Sequence, residues 1–309
     1  MYKATHQTST TFLLIVVLGL CLACIFLPTG RAYAQEATGI KGILRIPDAS
    51  HVQILTTIDG TTLMGRIVEI GQTEIQFEAD VGTLTISITK IKEIKEVPIS
   101  LIKKGVYWFP NPNHTRLFFA PTARQLKRGE GYFADYYLFF PMVAYGITDN
   151  ITIAGGVSIF PWIGIENQLI YFTPKVGFNT GDNFALSAGA LMVRLISFDN
   201  GDSPTVGILY GVGTLGGSDS NITAGLGYGF VDWELADKPL LMLGGQSRLS
   251  RRMSFVTENW MLPGMDGPLI SYGFRFFGET MSIDLGFINV INDGALFPGI
   301  PYIDFVVKL

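Results

Sequence analysis

Large and minimal side chains alternate along residues 220–230, SNITAGLGYGF. Ile222, Ala224, Leu226, Tyr228 and Phe230 fall on one side of an extended strand, and Thr223, Gly225, Gly227 and Gly229 on the other. A soluble sheet sets polar side chains opposite its core face; here the second face is merely small. The same period recurs elsewhere. NITIAGGVSIF (150–160) sets Ile151, Ile153, Gly155, Val157 and Ile159 against Thr152, Ala154, Gly156 and Ser158. TVGILYGVGT (205–214) sets Val206, Ile208, Tyr210 and Val212 against Gly207, Leu209, Gly211 and Gly213. MSIDLGF (281–287) sets Met281, Ile283, Leu285 and Phe287 against Ser282, Asp284 and Gly286.

Alternation in segments of about ten residues is what an antiparallel transmembrane β-barrel requires, with a bulky face toward lipid and a small or polar face inside. A spanning sheet must close, because each unpaired backbone group in hydrocarbon costs several kcal/mol. The expected fold is therefore all-β, with about twelve strands beginning near residues 115, 131, 150, 168, 183, 205, 220, 238, 252, 268, 280 and 300. A secreted β-sandwich is the rival, but its outer face would carry Lys, Glu and Thr where this chain has glycine. The connections ARQLKRGEG, PWIGIEN, SFDNGDSP, DWELADK, LPGMDG and NDGALFPG alternate with the tighter TDN, NTGD, GGSDS, SRLSR and GE. Outer-membrane barrels pair short periplasmic turns with longer outside loops, so both barrel ends are expected in the periplasm.

Three segments depart from clean alternation. GYFADYYLFFPMVAYGI (131–147) is apolar on both faces and contains Pro141, which removes a ladder hydrogen bond unless a bulge sits there. Residues 238–248 and 252–261 alternate poorly. Arg194 shares the expected lipid face with Leu186 and Met192, close enough to a strand end to snorkel. Trp108, Trp162, Trp233 and Trp260 sit at or near expected strand ends, where interfacial belts place aromatics.

The chain before the barrel reads differently. Residues 1–34 have the form of a secretory signal: Lys3 and His6, the apolar run FLLIVVLGLCLACIFL, then a small-residue end at Ala32-Tyr33-Ala34. An uncleaved membrane anchor and lipid attachment at Cys24 are the alternatives. Residues 35–105 hold a small water-compatible β domain with its linkers, and 106–309 the barrel. Turns are expected at Asp59-Gly60, Gly71-Gln72 and Val81-Gly82, with a core of Ile86, Ile88, Ile91 and Ile94. DGTTLMGRIVEIGQTEIQFEADVGTLTISITKIKEI resembles SH3-like or Sm-like barrels over about 45 residues. That resemblance implies a peptide- or surface-binding module; a folded spacer is the other reading.

Composition agrees with a membrane sheet. The 309 residues are 48% hydrophobic but only 16% charged, with 36 glycines, where soluble domains carry about 25% charged residues. Both cysteines, Cys21 and Cys24, leave with the signal, so neither a disulfide nor a thiolate metal site is expected. Loss of Lys3 and Arg31 leaves 20 basic against 26 acidic residues, a formal charge of −6, which gives no footprint for nucleic acid.

WFPNPNHTRLFFAPTARQLKRGEGYFADYYLFF followed by YGITDNITIAGGV is similar to Gram-negative outer-membrane β-barrel proteins, in which a glycine-rich strand often follows a Tyr-Gly-x-Thr-Asp-Asn turn. The resemblance covers about 195 residues. It implies an outer-membrane location with the small domain in the periplasm, and outer-membrane lipid and the barrel assembly machinery as partners. The chain departs from that pattern by ending in YIDFVVKL instead of an aromatic residue.

Catalytic chemistry is nearly absent. The mature chain keeps only His51 and His114, neither in an expected barrel strand, so no enzyme, metal or cofactor is expected. The candidate functional residues are the charges expected inside the barrel: Lys175, Arg275, Asp284, Asp304 and Lys308. They line a narrow polar path and tune its selectivity, or they form closed salt bridges that hold the barrel shut. The corresponding functions are a narrow pore or transporter for small solutes, and a structural protein whose barrel anchors a module that binds a periplasmic or cell-wall partner.

Overall fold

The computed structural model describes residues 40–179, 183–196, 203–291 and 297–309. The expected signal segment lies outside the described residues. The chain divides into two compact units, 1–102 and 103–309.

The first unit is a five-stranded antiparallel sheet of β1 (His51–Thr57), β2 (Thr62–Ile70), β3 (Glu74–Ala79), β4 (Gly82–Ser87) and β5 (Ile91–Pro98), in the order β4-β3-β2-β1-β5. Its turns fall where Asp59-Gly60, Gly71 and Gly82 predict them, and Gly60 and Gly82 take positive φ. The core is larger than the isoleucines alone: Leu55, Ile67, Ile75 and Phe77 are buried with Ile86, Ile91 and Ile94, and Ile88 packs against them. A single 3-10 turn, Ile88–Lys90, joins β4 to β5.

Short strands β6 (Ile102–Lys103) and β7 (Val106–Tyr107) precede the barrel. Its strands are β8 (Gly131–Tyr136), β9 (Phe140–Thr148), β10 (Ile151–Val157), β11 (Leu169–Asn179), β12 (Phe184–Leu195), β13 (Val206–Gly216) and β14 (Ser220–Val231), then, after a two-residue β15 (Glu234–Leu235), β16 (Leu240–Ser250), β17 (Met253–Met261), β18 (Leu269–Phe277), β19 (Met281–Val290) and β20 (Ile300–Lys308). Each barrel strand pairs antiparallel with its neighbours, and β20 returns to β8, so twelve strands among the described residues close the sheet. Tight turns follow β9, β13, β16 and β18, and longer connections follow β10, β14, β17 and β19.

Twelve is the expected number, but two strands differ from expectation. The segment near residue 115 is not a barrel strand. Residues 131–147 supply two strands, β8 and β9, turning at Tyr137 and Leu138 with φ of 54° and 65°. Pro141 pairs with Asp135 near the start of β9, so no bulge is needed there.

Ile151, Ile222, Leu226, Leu285 and Ile303 lie exposed on the outside, while Thr152, Thr223, Asp284 and Asp304 are buried within. Hydrocarbon, not water, accommodates a continuous exterior of this kind. Arg194 is exposed one residue from the end of β12, as its position near a strand end predicts.

β13 reverses the expected faces. Val212 and Thr214 are buried inside and Leu209 and Leu215 exposed, so the Ile208–Tyr210–Val212 row points inward. Register explains the reversal. Ile208, Tyr210 and Val212 pair with Gly229, Gly227 and Gly225 of β14, and Leu226 and Phe230 pair with Gly211 and Gly207 of β13. Each glycine thus leaves room for a bulky cross-strand neighbour on either face. A Cβ on Gly225 would come 2.8 Å from Val212 Cγ1.

Candidate functional site

The residues between β7 and β8 fill the barrel. The sequence implies a strand start and a linker here, yet Phe109, Asn111, Asn113, Leu117, Phe118, Ala120, Ala123 and Leu126 are all buried. Leu117 N–H donates to Ala120 O at 2.8 Å, making a tight turn at Phe118-Phe119, and an isolated bridge pairs Arg116 with Pro121. Leu117 and Phe118 pack with Val256 and Tyr302 of the wall. We call residues 107–126 the plug.

A plug of bare backbone inside a barrel must find partners for its N–H and C=O groups, and the wall supplies them. One oxygen of Glu258, on β17, accepts the backbone N–H of Phe118, Phe119 and Ala120, each at 2.9 Å, while the other accepts Trp260 Nε1–H at 2.7 Å. Three successive amides around one anion form a nest. Thr214 Oγ1 accepts Ala123 N–H at 2.8 Å and Thr152 Oγ1 accepts Leu126 N–H at 3.0 Å.

The inward charges complete this framework. Lys175, on β11, donates from Nζ to the carbonyls of Thr115, Thr122 and Arg124 at 3.3, 3.0 and 2.6 Å. Arg275, on β18, forms a two-point ion pair with Asp284 of β19, with both bonds at 2.7 Å and no exposure of either side chain. The same guanidinium donates to Leu117 O at 2.6 Å and to Asn113 O. Asp304, on β20, pairs at 2.6 Å with Arg116 of the plug and accepts the Tyr302 hydroxyl. Lys308, half-buried, ends β20. The structure therefore sets Lys175, Arg275 and Asp304 on one inserted segment, with Asp284 joined to it through Arg275.

Glu258 and the plug itself escaped the sequence reading. β17 alternates poorly because Thr257 and Asn259 put polar groups on its outer side, masking the inward row Ser254, Val256 and Glu258. Trp260 leaves the expected interfacial belt and packs into the lumen cluster, whereas Trp162 and Trp233 are exposed.

A cavity of about 320 Å³ remains between plug and wall, bordered by Arg116 and Phe119 of the plug and by residues of β8 to β14, β16 and β17, Lys175 among them. In the small unit, Asp48, His51 and Glu96 come within 4.8 Å of one another, but His51 bonds to Asp48, and Glu96 takes Arg45 in a two-point pair at 2.7 Å. These groups satisfy one another as a surface network.

No family model and no curated protein matches the chain. Among solved structures it is similar to a loop-deletion mutant of OmpT, an outer membrane protein of Vibrio cholerae, at 10% identity and a TM-score of 0.31, covering 84% of this chain and 96% of that one. It is also similar to the Salmonella typhi OmpF in complex with daunomycin, at 10% identity and a TM-score of 0.30, covering 84% and 95%.

Proposed function

We propose that the chain is a small-solute transporter of the bacterial outer membrane, with its lumen shut to ions by residues 107–126 and opened to its solute by a shift of that segment. The supporting observation is the cavity of about 320 Å³ left between plug and wall; small-molecule sites start at roughly 300 Å³. The closed barrel with an apolar exterior is what a spanning sheet needs. In this reading the inward charges hold the plug instead of lining an ion path. The barrel meets outer-membrane lipid and is inserted by the barrel assembly machinery. The small unit faces the periplasm, and its meander order and 3-10 turn support an SH3-like or Sm-like module for a periplasmic protein or cell-wall partner.

The test is a reversible lock. An Ala123→Cys/Thr214→Cys pair ties the plug to β13, and the expected result is solute entry into intact cells that stops on oxidation and returns on reduction. Entry that is equal in both states contradicts the reading. A second reading, in which the barrel only anchors the small unit, is favoured by the number of wall side chains bonded to the plug. It predicts no entry in either state and loss of partner capture when residues 51–98 are removed.

A further inference from the structure

We propose that the lumen cavity binds an uncharged, apolar small molecule and discriminates against its carboxylate analogue. This deepens the transport reading, on which it rests for the ligand's fate, by naming the ligand class.

The wall of the cavity is largely hydrocarbon and aromatic, with Met142, Leu191, Ile208, Leu240, Met242 and Trp260 among its borders. Two cations also border it, and neither turns a free N–H into it. The three N–H bonds of Lys175 Nζ are matched by the carbonyls of Thr115, Thr122 and Arg124. Arg116 is neutralised by Asp304 and donates to Phe118 O. Its Nε and Nη2 are buried without a hydrogen-bond partner and its guanidinium lies 4.5 Å from the centre of the Tyr136 ring, so those nitrogens do not open into the cavity.

Several bordering hydroxyls are already bonded: Tyr171 donates to Pro141 O at 2.7 Å, Thr152 Oγ1 accepts from Leu126 N–H at 3.0 Å, and Tyr132 meets Thr115 at 3.2 Å, which leaves a few neutral O–H groups, with Tyr136 and Tyr210 also on the border. A carboxylate entering this space would shed its water and find only a few neutral hydroxyls, and no N–H of a cation, in exchange, a large cost for a charge. An apolar molecule loses nothing and exchanges water contact for dispersion contact. A volume of about 320 Å³ limits the ligand to a compact one- or two-ring molecule or a short chain.

Trp260 borders the cavity and serves as its own reporter. A full-length variant with Trp108, Trp162 and Trp233 replaced by Phe is folded in detergent and titrated at neutral pH with bromobenzene, a heavy-atom quencher, and separately with 4-bromobenzoate. The expected result is saturable quenching by bromobenzene, at least tenfold tighter than by 4-bromobenzoate, and abolished by Ala154→Phe, which fills the cavity from β10. Val212→Phe fills it from β13 should the first variant not fold. Equal or tighter binding of 4-bromobenzoate overturns the proposal, as does quenching that rises linearly and survives the filling variants. If bromobenzene binds as expected while the plug lock leaves solute entry unchanged, the cavity stands and the transport reading falls. If the lock controls entry but the carboxylate binds better, transport stands and the ligand class falls.

Discussion

Glu258 holds Phe118 by its backbone: the carboxylate of a barrel strand accepts the amide of a residue that sequence distance puts far away, at 2.9 Å and without exposure to solvent. The neighbouring amides of Phe119 and Ala120 share the same oxygen. Glu258→Ala leaves all three buried donors without their acceptor, and a single buried group left unsatisfied costs about 1–3 kcal/mol. The variant is expected to unfold at lower temperature on a heat-modifiability gel. It is also expected to pass fluctuating ion current in a planar bilayer where the parent is silent. A variant as silent and as heat-stable as the parent contradicts a retaining role for Glu258.

Arg275 and Asp284 offer a second test, because the pair and the plug share one guanidinium. Arg275→Met strands the Asp284 carboxylate, and breaking such a buried pair costs about 3–5 kcal/mol. Arg275→Met/Asp284→Leu removes the stranded charge and is expected to recover a measurable part of that loss in urea unfolding. It does not reach the parent, since Leu117 O and Asn113 O still lose their donor. Equal stability of the single and double variants would show that the ion pair is immaterial.

The glycine ladder makes a third prediction. Gly207 sits beneath the ring of Phe230, and a Cβ there would collide with Leu191 O and that ring. Gly207→Val is expected to lower the heat-modifiable folded fraction strongly. Gly217→Val, where a Cβ meets nothing within 4 Å, is expected to leave it unchanged.

The small unit carries a pH dependence of definite sign. Hydrogen bonds from His51 and then Ser50 hold the Asp48 carboxyl well below the usual carboxylate range, and the Arg45 hydrogen bond does the same for Glu96. Lowered folded values mean that the stabilisation is complete above the unfolded pKa, about 4, and is lost as pH falls through the folded values. The protection of the β1 and β5 amides in the full-length protein, taken as exchange relative to the intrinsic rate at each pH, is therefore expected to be flat from pH 7 to 5 and to fall below about 4. Asp48→Asn should weaken that acid response, and an unchanged acid profile would contradict the assignment.

Much of the barrel was legible in the sequence, because lipid outside and a crowded lumen inside impose a two-residue period. β10, β14 and β19 place their alternating side chains as expected, and Arg275, Asp284 and Asp304 are buried. β13 was misread because a bulky row in a small barrel faces whichever side its neighbour's glycines leave vacant, a property of register between strands. The Tyr137-Leu138 turn carries neither glycine nor asparagine, so the β8–β9 hairpin had no local signal. The plug lies where a strand start is expected from the sequence, near residue 115. Extended backbone looks alike in a wall and in a lumen until closure of the other twelve strands excludes it.

Plug position is the central claim, and the most direct measurement of it is disulfide formation in Ala123→Cys/Thr214→Cys, in a mature chain expected to hold no other cysteine. With the Ala123 amide 2.8 Å from Thr214 Oγ1, mild oxidation of the folded, membrane-inserted protein should close the bridge nearly completely, shifting its migration once unfolded under non-reducing conditions. Free thiols that persist through oxidation and react with a membrane-impermeant maleimide would mean that residues 107–126 do not lie in the lumen.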